Sequence, residues 1–497
     1  MNQIHGIDYI CVLPEIILTV FGIAIMMADP LFAPKSSRKS LGILALCGAI
    51  ASALATVAQS TYLSTPGDAD AMSKAFFGMV AVNTFSIFFH LLIALIVIVV
   101  ILASYEYLDV QHINLGEYYG LILFGAVGMM LMSSATELVL IFIALEISSI
   151  ATYVLAGFRR KFASSSESSL KYFLLGSFAT AFFLYGIALM FGATGSTNIT
   201  EIATALRGGN TGVLAYVAIA LMFVGIGFKI AAAPFHVWTP DVYEGAPAPI
   251  VGLMSTAPKA AAFAVLLRIL FAAASADAFH SAWSWLVWVS AALSMTLGNI
   301  GALVQNNVKR LLAYSSIAHA GYLLVAFLGP ATGPENGISA AIFYTASYAT
   351  MNVGAFCIVS HLAGDGERYV TLDDYAGLSQ RSPWLAAMLS IFMLSLIGIP
   401  LTGGFFAKYY VFNAALHANL VGLTVIGMIN SAIAAYYYLR VIVVMYMQES
   451  KTDAPVLPVP ASLGVAVILS AAATLYLGIW PQRVLDYAVR SAHDLMR

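Results

Sequence analysis

The sequence predicts an all-α polytopic membrane protein of about 14 transmembrane helices, on three observations. Of its 497 residues, 61% are hydrophobic and only 9% charged, against about 25% charged in soluble domains. Apolar stretches of about 20 residues, the thickness of a bilayer, recur along the whole length. Two of them are interrupted at matching places in an internal duplication, which predicts two inverted five-helix repeats, helices four to eight and nine to thirteen, with helices seven and twelve broken.

The apolar segments centre near residues 21, 52, 92, 125, 147, 180, 225, 260, 292, 320, 349, 395, 433 and 470. They form a single membrane domain over 1–497: an N-terminal three-helix segment (1–110), a first five-helix repeat (115–272), a second (280–449), and a C-terminal helix and tail (450–497). The N-terminus has no basic stretch before its first apolar run and no small-residue cleavage site, so the first helix is expected to be retained.

Composition excludes several classes. The net charge is −2 and the charges sit in short clusters, so no basic surface is available for nucleic acid. Cys11, Cys47 and Cys357 are far apart in or beside apolar segments, read as small buried side chains. No C-x-x-C pair offers to hold zinc or an iron–sulfur cluster.

Charge also orients the chain. Of 22 Lys and Arg, Lys229, Lys259 and Lys408 lie inside spans, leaving 22 − 3 = 19. One face receives thirteen, among them Lys35, Arg159, Lys309 and Lys451, and the other six, among them Arg268 and Arg497. The positive-inside bias makes the richer face cytoplasmic and puts both termini outside. The longest polar insert, from His361 to Arg381, is expected to be a cytoplasmic loop, either a docking surface or a solvated connector.

The duplication has an offset of about 165 to 180 residues, with Ser-Phe-Ala-Thr at Ser177 recurring as Ser-Tyr-Ala-Thr at Ser347. Helix seven is interrupted at Pro234, just after Lys229, and helix twelve around Pro400, Gly403 and Gly404, just before Lys408. Proline removes a helical donor and clashes with the preceding turn. Five helices cross the membrane an odd number of times, so consecutive copies are inverted, and broken helices at matching positions mark the transport site of such folds.

The intramembrane charges point to the cargo. Lys259 lies roughly 12 residues, about 18 Å, from either end of its apolar run, too far to snorkel. A central lysine costs about 2.5 to 3.5 kcal/mol on insertion scales; three cost on the order of 8 to 10 unless paired or hydrated. The alternative for each is a structural lysine satisfied by carbonyls or water. Glu146 is too deep for the interface, whereas Glu137, which begins the same helix, can sit there. A buried carboxylate needs a cationic partner, and Lys229 is the nearest by repeat geometry. Desolvation disfavours the charged form of a buried amine, so a carboxylate that moves away acts as a proton-release switch. His236, seven residues after Lys229, would share its face in an unbroken helix. His236 and His319 read either as proton relays or as hydrogen-bonded structural histidines. Tyr314, Ser315 and Ser316 could hold water or pack helices.

From Phe228 to Arg268, FKIAAAPFHVWTPDVYEGAPAPIVGLMSTAPKAAAFAVLLR, the chain resembles the antiporter-like membrane subunits of proton-pumping NADH:quinone oxidoreductase, respiratory complex I. ESSLKYFLLGSFATAFFLYGIAL from Glu167, NIGALVQNNVKRLLAYSSIAHAGYLL from Asn299 and SLIGIPLTGGFFAKYYVF from Ser395 agree, so the resemblance covers nearly the whole chain. One departure is Leu401, where the family leads one to expect a second proline after Pro400. Lys408 stands where the M-type subunit has a glutamate.

The resemblance implies that Glu146 and Lys229 are a coupling pair, that Lys259 is the central relay, and that Lys408 ends the half-channel. It implies proton pumping coupled to electron transfer from NADH to quinone, in a bacterial inner membrane. FMN, iron–sulfur clusters and quinone are expected in other subunits and none in this chain. Further antiporter-like subunits, small neighbouring membrane subunits and the lipid bilayer are the expected partners. A subunit of a multisubunit cation/proton antiporter is the first alternative and a stand-alone solute transporter the second; the latter would need a solute-shaped site where this chain carries spread ionisable groups.

Overall fold

A computed structural model describes residues 5–32, 37–113, 115–208, 212–273, 277–331, 333, 336–450 and 458–496. Lys35, Lys451 and Arg497, used in the charge count, lie outside them. Each of the fourteen apolar segments is helical. Spans one to six are Leu13–Ala28, Lys39–Tyr62, Thr84–Val110, Glu117–Ser134, Leu138–Ala156 and Ala163–Thr194. Span seven is Val213–Ile230 with a second piece, Thr239–Gly245, and span eight is Ala248–Met254 followed by Ala257–Ala273. Spans nine to eleven are Asp277–Leu303, Val308–Ala326 and Gly337–Leu362. Span twelve is Pro383–Ile397 plus Gly403–His417, and spans thirteen and fourteen are Val421–Met447 and Ala461–Ile479.

Eleven of these are long and apolar enough to cross a membrane by composition alone. The exceptions, spans four, ten and twelve, have plain reasons. Span four is diluted by glycine, tyrosine and serine, span ten carries Lys309, Arg310 and His319, and span twelve is divided into two 15-residue halves. An amphipathic helix, Pro481–Met496, follows span fourteen.

The duplication is visible at residue level with one constant offset. Glu137 and Asn307 (307 − 137 = 170) both cap the helix that follows them with their side chains. Gly128 packs on Ala144 and Ser148, and Gly298 packs on Ala318 (298 − 128 = 170; 318 − 148 = 170). A Cβ on Gly128 or Gly298 would lie 2.5 or 2.6 Å from neighbouring backbone, so small residues permit each helix pair. Ser177 and Ser347 follow the same offset (347 − 177 = 170), and the hydroxyls of Thr180 and Thr350 bond back to their own helices.

Spans eight and eleven form the buried centre, while spans one, two, six and thirteen expose large apolar side chains such as Met27, Leu54, Phe178 and Met428. In a chain with this many apolar helices that outer surface suits hydrocarbon. Cys11 and Cys357 are buried as expected, but Cys47 is exposed, on the outward side of span two.

The polar insert after span eleven is more than a solvated connector, because Glu367 turns back into the protein and is buried while residues such as Asp365, Arg368 and Asp373 stay exposed. Its Oε1 accepts from Tyr107 Oη at 2.7 Å and from Ala248 N at 2.8 Å. Its Oε2 accepts from Lys309 Nζ at 2.7 Å and meets Arg159 Nη2 at 3.1 Å. Lys309 spends its other two donors on Glu244 O and Ala246 O. One carboxylate thus ties together the ends of spans three, five, eight and ten. Beside it, Arg310 bridges Asp241 and Glu244, and Lys171 bridges Asp241 and Glu167.

Burial by itself would raise the Glu367 carboxyl, but Lys309 and Arg159 outweigh it and hold the group below the ordinary range. A depressed carboxylate contributes stability above its unfolded value of about 4.3 and loses it as pH falls through its lower folded value. Glu367→Gln leaves two buried cations without their counter-charge and is expected to cost about 3 to 5 kcal/mol, read as a lower melting temperature of the assembled protein near pH 7. An unchanged melting temperature would contradict the role given to this carboxylate.

Candidate functional site

Span seven stops four residues before Pro234, where Ala231 takes φ 59°, ψ 39°. The backbone groups freed by this break are met by other spans, as the membrane interior requires. Ala233 N donates to Ser294 Oγ, and Ser290 Oγ donates to Ala233 O, both at 2.7 Å from span nine. Trp238 Nε1 donates to Phe228 O at 3.0 Å and its ring stacks on Tyr172 at 4.5 Å.

Lys229 occupies the last turn before the break and is buried. Its ammonium donates to Ser149 Oγ at 2.9 Å and sits 6.0 and 5.8 Å from the rings of Tyr153 and Tyr172, within cation–π range. Glu146 lies one turn before Ser149 on span five, close enough for its charge to act on Lys229. The sequence leads one to expect a closed pair. Among the described residues no ion pair joins them: Ser149 takes the ammonium, and Glu146 Oε1 is buried without a hydrogen-bond partner.

Lys259 has a break of its own, which the sequence analysis does not foresee. Span eight parts at Ser255 and Thr256, three residues before the lysine, because Pro258 lacks the donor that would continue the first piece. Its ammonium donates to Ser316 Oγ at 2.6 Å and Ser316 O at 3.1 Å. Tyr348 Oη donates to the same Ser316 hydroxyl at 2.7 Å. His319 lies one turn on from Ser316, with Nδ1 2.7 Å from Tyr344 Oη and Nε2 3.3 Å from Tyr438 Oη; Tyr438 also bonds Ser315. Lys259, Ser316, His319, Thr345 and Tyr348 line a small cavity with room for a water molecule.

Lys408 follows the third break. The first half of span twelve ends at Ile397, and the ammonium caps it, donating to Leu396 O at 3.2 Å, Ile397 O at 2.7 Å and Ser431 Oγ at 2.8 Å. A cation at a helix C-terminus is favoured by the free carbonyls and the dipole. The Tyr322 ring lies 4.9 Å from the ammonium, and its centroid is 5.7 Å from that of His319. Gly404 admits the second half, since a Cβ there would lie 1.8 Å from Ser395 O.

The structure therefore joins Lys259, His319 and Lys408 through tyrosine and serine side chains, whereas Lys229 is held by Ser149, whose own hydroxyl donates to Leu145 O, and Glu146 is not bonded to either. His236 does not share a helical face with Lys229, because the helix ends at Ile230; it lies half-buried in the break with Nδ1 unpartnered. Glu137 is the helix cap that its position at the interface suggests, accepting from Leu140 N at 2.7 Å. Sequence reasoning missed Ser149, Tyr348, Tyr438 and Ser431. The signal was present in the hydroxyl residues within a turn or so of Glu146 and His319, and in Pro258.

A family model described as "NADH:quinone oxidoreductase/Mrp antiporter, TM" matches residues 135–434, which contain Glu146, Lys229, Lys259, His319 and Lys408. "NADH-quinone oxidoreductase subunit N 2" of Koribacter versatilis is 64% identical over 496 residues, 99% of each chain. The chain belongs to the NADH-quinone oxidoreductase subunit N family. A chain of respiratory complex I from Thermus thermophilus is similar in structure at TM-score 0.79 and 35% identity, covering 95% of this chain and 98% of that one. A chain of the Mrp complex from Dietzia shares the fold at TM-score 0.84 with 20% identity, over 99% and 97% of the two chains.

Leu401, the departure from the family pattern, has φ 70°, a conformation that the proline ring cannot adopt. The break in span twelve is accordingly not built for two consecutive prolines. Leu401→Pro is expected to displace the Lys408 half-helix and lower the yield of assembled protein, read by membrane extraction and native gel. Unaltered assembly and melting would show that the loop tolerates either shape.

Proposed function

We propose that this chain is a proton-translocating membrane subunit of NADH:quinone oxidoreductase, with the path running along Glu146, Lys229, Lys259, His319 and Lys408. The observation that carries the reading is the kind of partner each lysine has. Among the described residues no carboxylate closes on Lys229, Lys259 or Lys408; each ammonium donates to hydroxyls or carbonyls. An amine held by neutral acceptors can release its proton without stranding a buried anion, and serine and tyrosine hydroxyls can both donate and accept.

In this reading Glu146 is the movable charge. When it approaches Lys229 the ammonium is held; when it withdraws, desolvation favours release. Lys259 receives and passes protons through Ser316 and the adjoining cavity, His319 with its tyrosines carries them on, and Lys408 ends the path. His236 has a place only as an entry or exit group at the span-seven break. The energy comes from electron transfer elsewhere: FMN, iron–sulfur clusters and quinone belong to other subunits, and this chain contributes no redox step. Its partners are other antiporter-like subunits and small neighbouring membrane subunits, in a bacterial inner membrane with both termini periplasmic. The five-helix boundaries at 115–272 and 280–449 are part of the same proposal, supported by the constant 170-residue offset.

The fold alone also suits a subunit of a multisubunit cation/proton antiporter, and the shared Mrp architecture supports that second reading. Tagged chain extracted from native membranes in mild detergent separates the two. Flavin, iron–sulfur absorbance and NADH-oxidising activity are expected to co-purify with it. Recovery with only small membrane partners and no redox centre would move the assignment to the antiporter.

A further inference from the structure

The N-terminal three spans contain a second group of buried ionisable side chains that the path above does not use. Glu15 sits in the first turn of span one, 3% exposed, and neither carboxylate oxygen has a hydrogen-bond partner. His90 of span three is fully buried, with Nε2 3.6 Å from Glu15 Oε1. The same Nε2 lies 3.0 Å from Met130 O, and a carbonyl only accepts, so the hydrogen on Nε2 is committed to Met130.

The groups around the pair complete the setting. Asp8 and Cys11 lie on the short helix before span one, and Asp8 is already bonded to His5 N and Phe76 N. Gln59 of span two donates to Ile10 O and Cys11 O, which leaves its Oε1 buried and unpartnered. Ser52, Thr56 and Gln59 recur at helical spacing as one buried polar stripe on an otherwise apolar span. Arg268, counted from sequence among the surface charges, is instead buried near the end of span eight; it donates to Ser133 O at 2.9 Å, leaves Nη2 unpartnered, and acts electrostatically on His90.

An ionised Glu15 would be a buried anion without a single donor, the most expensive arrangement available to it. An imidazolium at His90 would be opposed by the fixed Arg268 charge. We infer that Glu15 and His90 form a second buried proton-binding site, in which Glu15 carries the proton at neutral pH. Ionisable groups placed inside membrane spans mark ion pathways by default, and this one lies within a turn or two of the ends of spans one, three, four and eight on the side that carries the N-terminus. Arg268 and Lys259 share span eight, so one helix links the site to the axial lysines, and a proton leaving the protein on this side would pause there. Only this direction of travel rests on the proposed function; occupancy of the site does not.

The test is infrared difference spectroscopy of the purified assembly at pH 7, wild type against Glu15→Gln, in H2O and D2O. The wild type is expected to show one carboxylic C=O band, shifted on deuteration, that the variant lacks. An assembled variant that loses no such band would overturn the inference. If Glu15→Gln does not assemble, His90→Gln keeps the carboxyl and must shift the frequency of the same band or its titration; an unchanged band overturns the site equally. A band present in a protein that proves not to pump would retain the site and remove the proton path from the account instead.

Discussion

Three ammonium groups buried inside a helical bundle, each beside an interruption in its own span, constrain the rest of this fold. A continuous helix spends its carbonyls internally and has only a shared one to offer a buried lysine, as Ser316 O does to Lys259. An interrupted one frees them. Lys408 takes the last carbonyls of the first half of span twelve directly. Lys259 follows the gap at Ser255 and Thr256, and Lys229 precedes the gap at Ala231. Every interruption then needs neighbours to satisfy its other freed groups, which explains why Ser290 and Ser294 of span nine reach into span seven. It also explains why wholly buried spans such as eight and eleven stand at the centre.

The molecule handles buried charge in two contrasting ways. In the insert that follows span eleven, Glu367 accepts three hydrogen bonds, one of them from Lys309, and pairs with Arg159, and Lys309 has no donor left over. Such a group is fixed, and removing one member strands the others. Along the axis the acceptors are neutral, and several belong to hydroxyls that can reverse their role. The first arrangement holds helix ends in register, while the second is the kind that the proposed proton path requires. The open separation of Glu146 and Lys229 belongs with the second kind.

Much of this was legible in the sequence because membranes enforce simple rules. Fourteen apolar runs became fourteen helical spans, and Pro234, Gly403 and Gly404 marked two of the three breaks. Pro258 carried the same signal but was masked by the long apolar run around it. The chain's neutral hydrogen-bonding residues were harder to read. Ser149 and Ser316 look like ordinary small packing residues, and only the meeting of separate spans shows that they hold Lys229 and Lys259. His236 misled for a related reason, since counting residues along a helix assumes the helix continues. The insert from His361 to Arg381 reads from its polarity as a docking surface or a solvated connector, and neither reading foretells that Glu367 is drawn inward by cations distant in sequence.

The central claim is that Lys259 passes protons rather than merely filling a polar space. The most direct measurement is proton uptake per NADH oxidised in vesicles carrying the assembled Lys259→Met complex, alongside the wild type. The account predicts an assembled complex with intact flavin and iron–sulfur absorbance whose pumping is impaired. An assembled complex that pumps normally would contradict it and return Lys259 to a structural role.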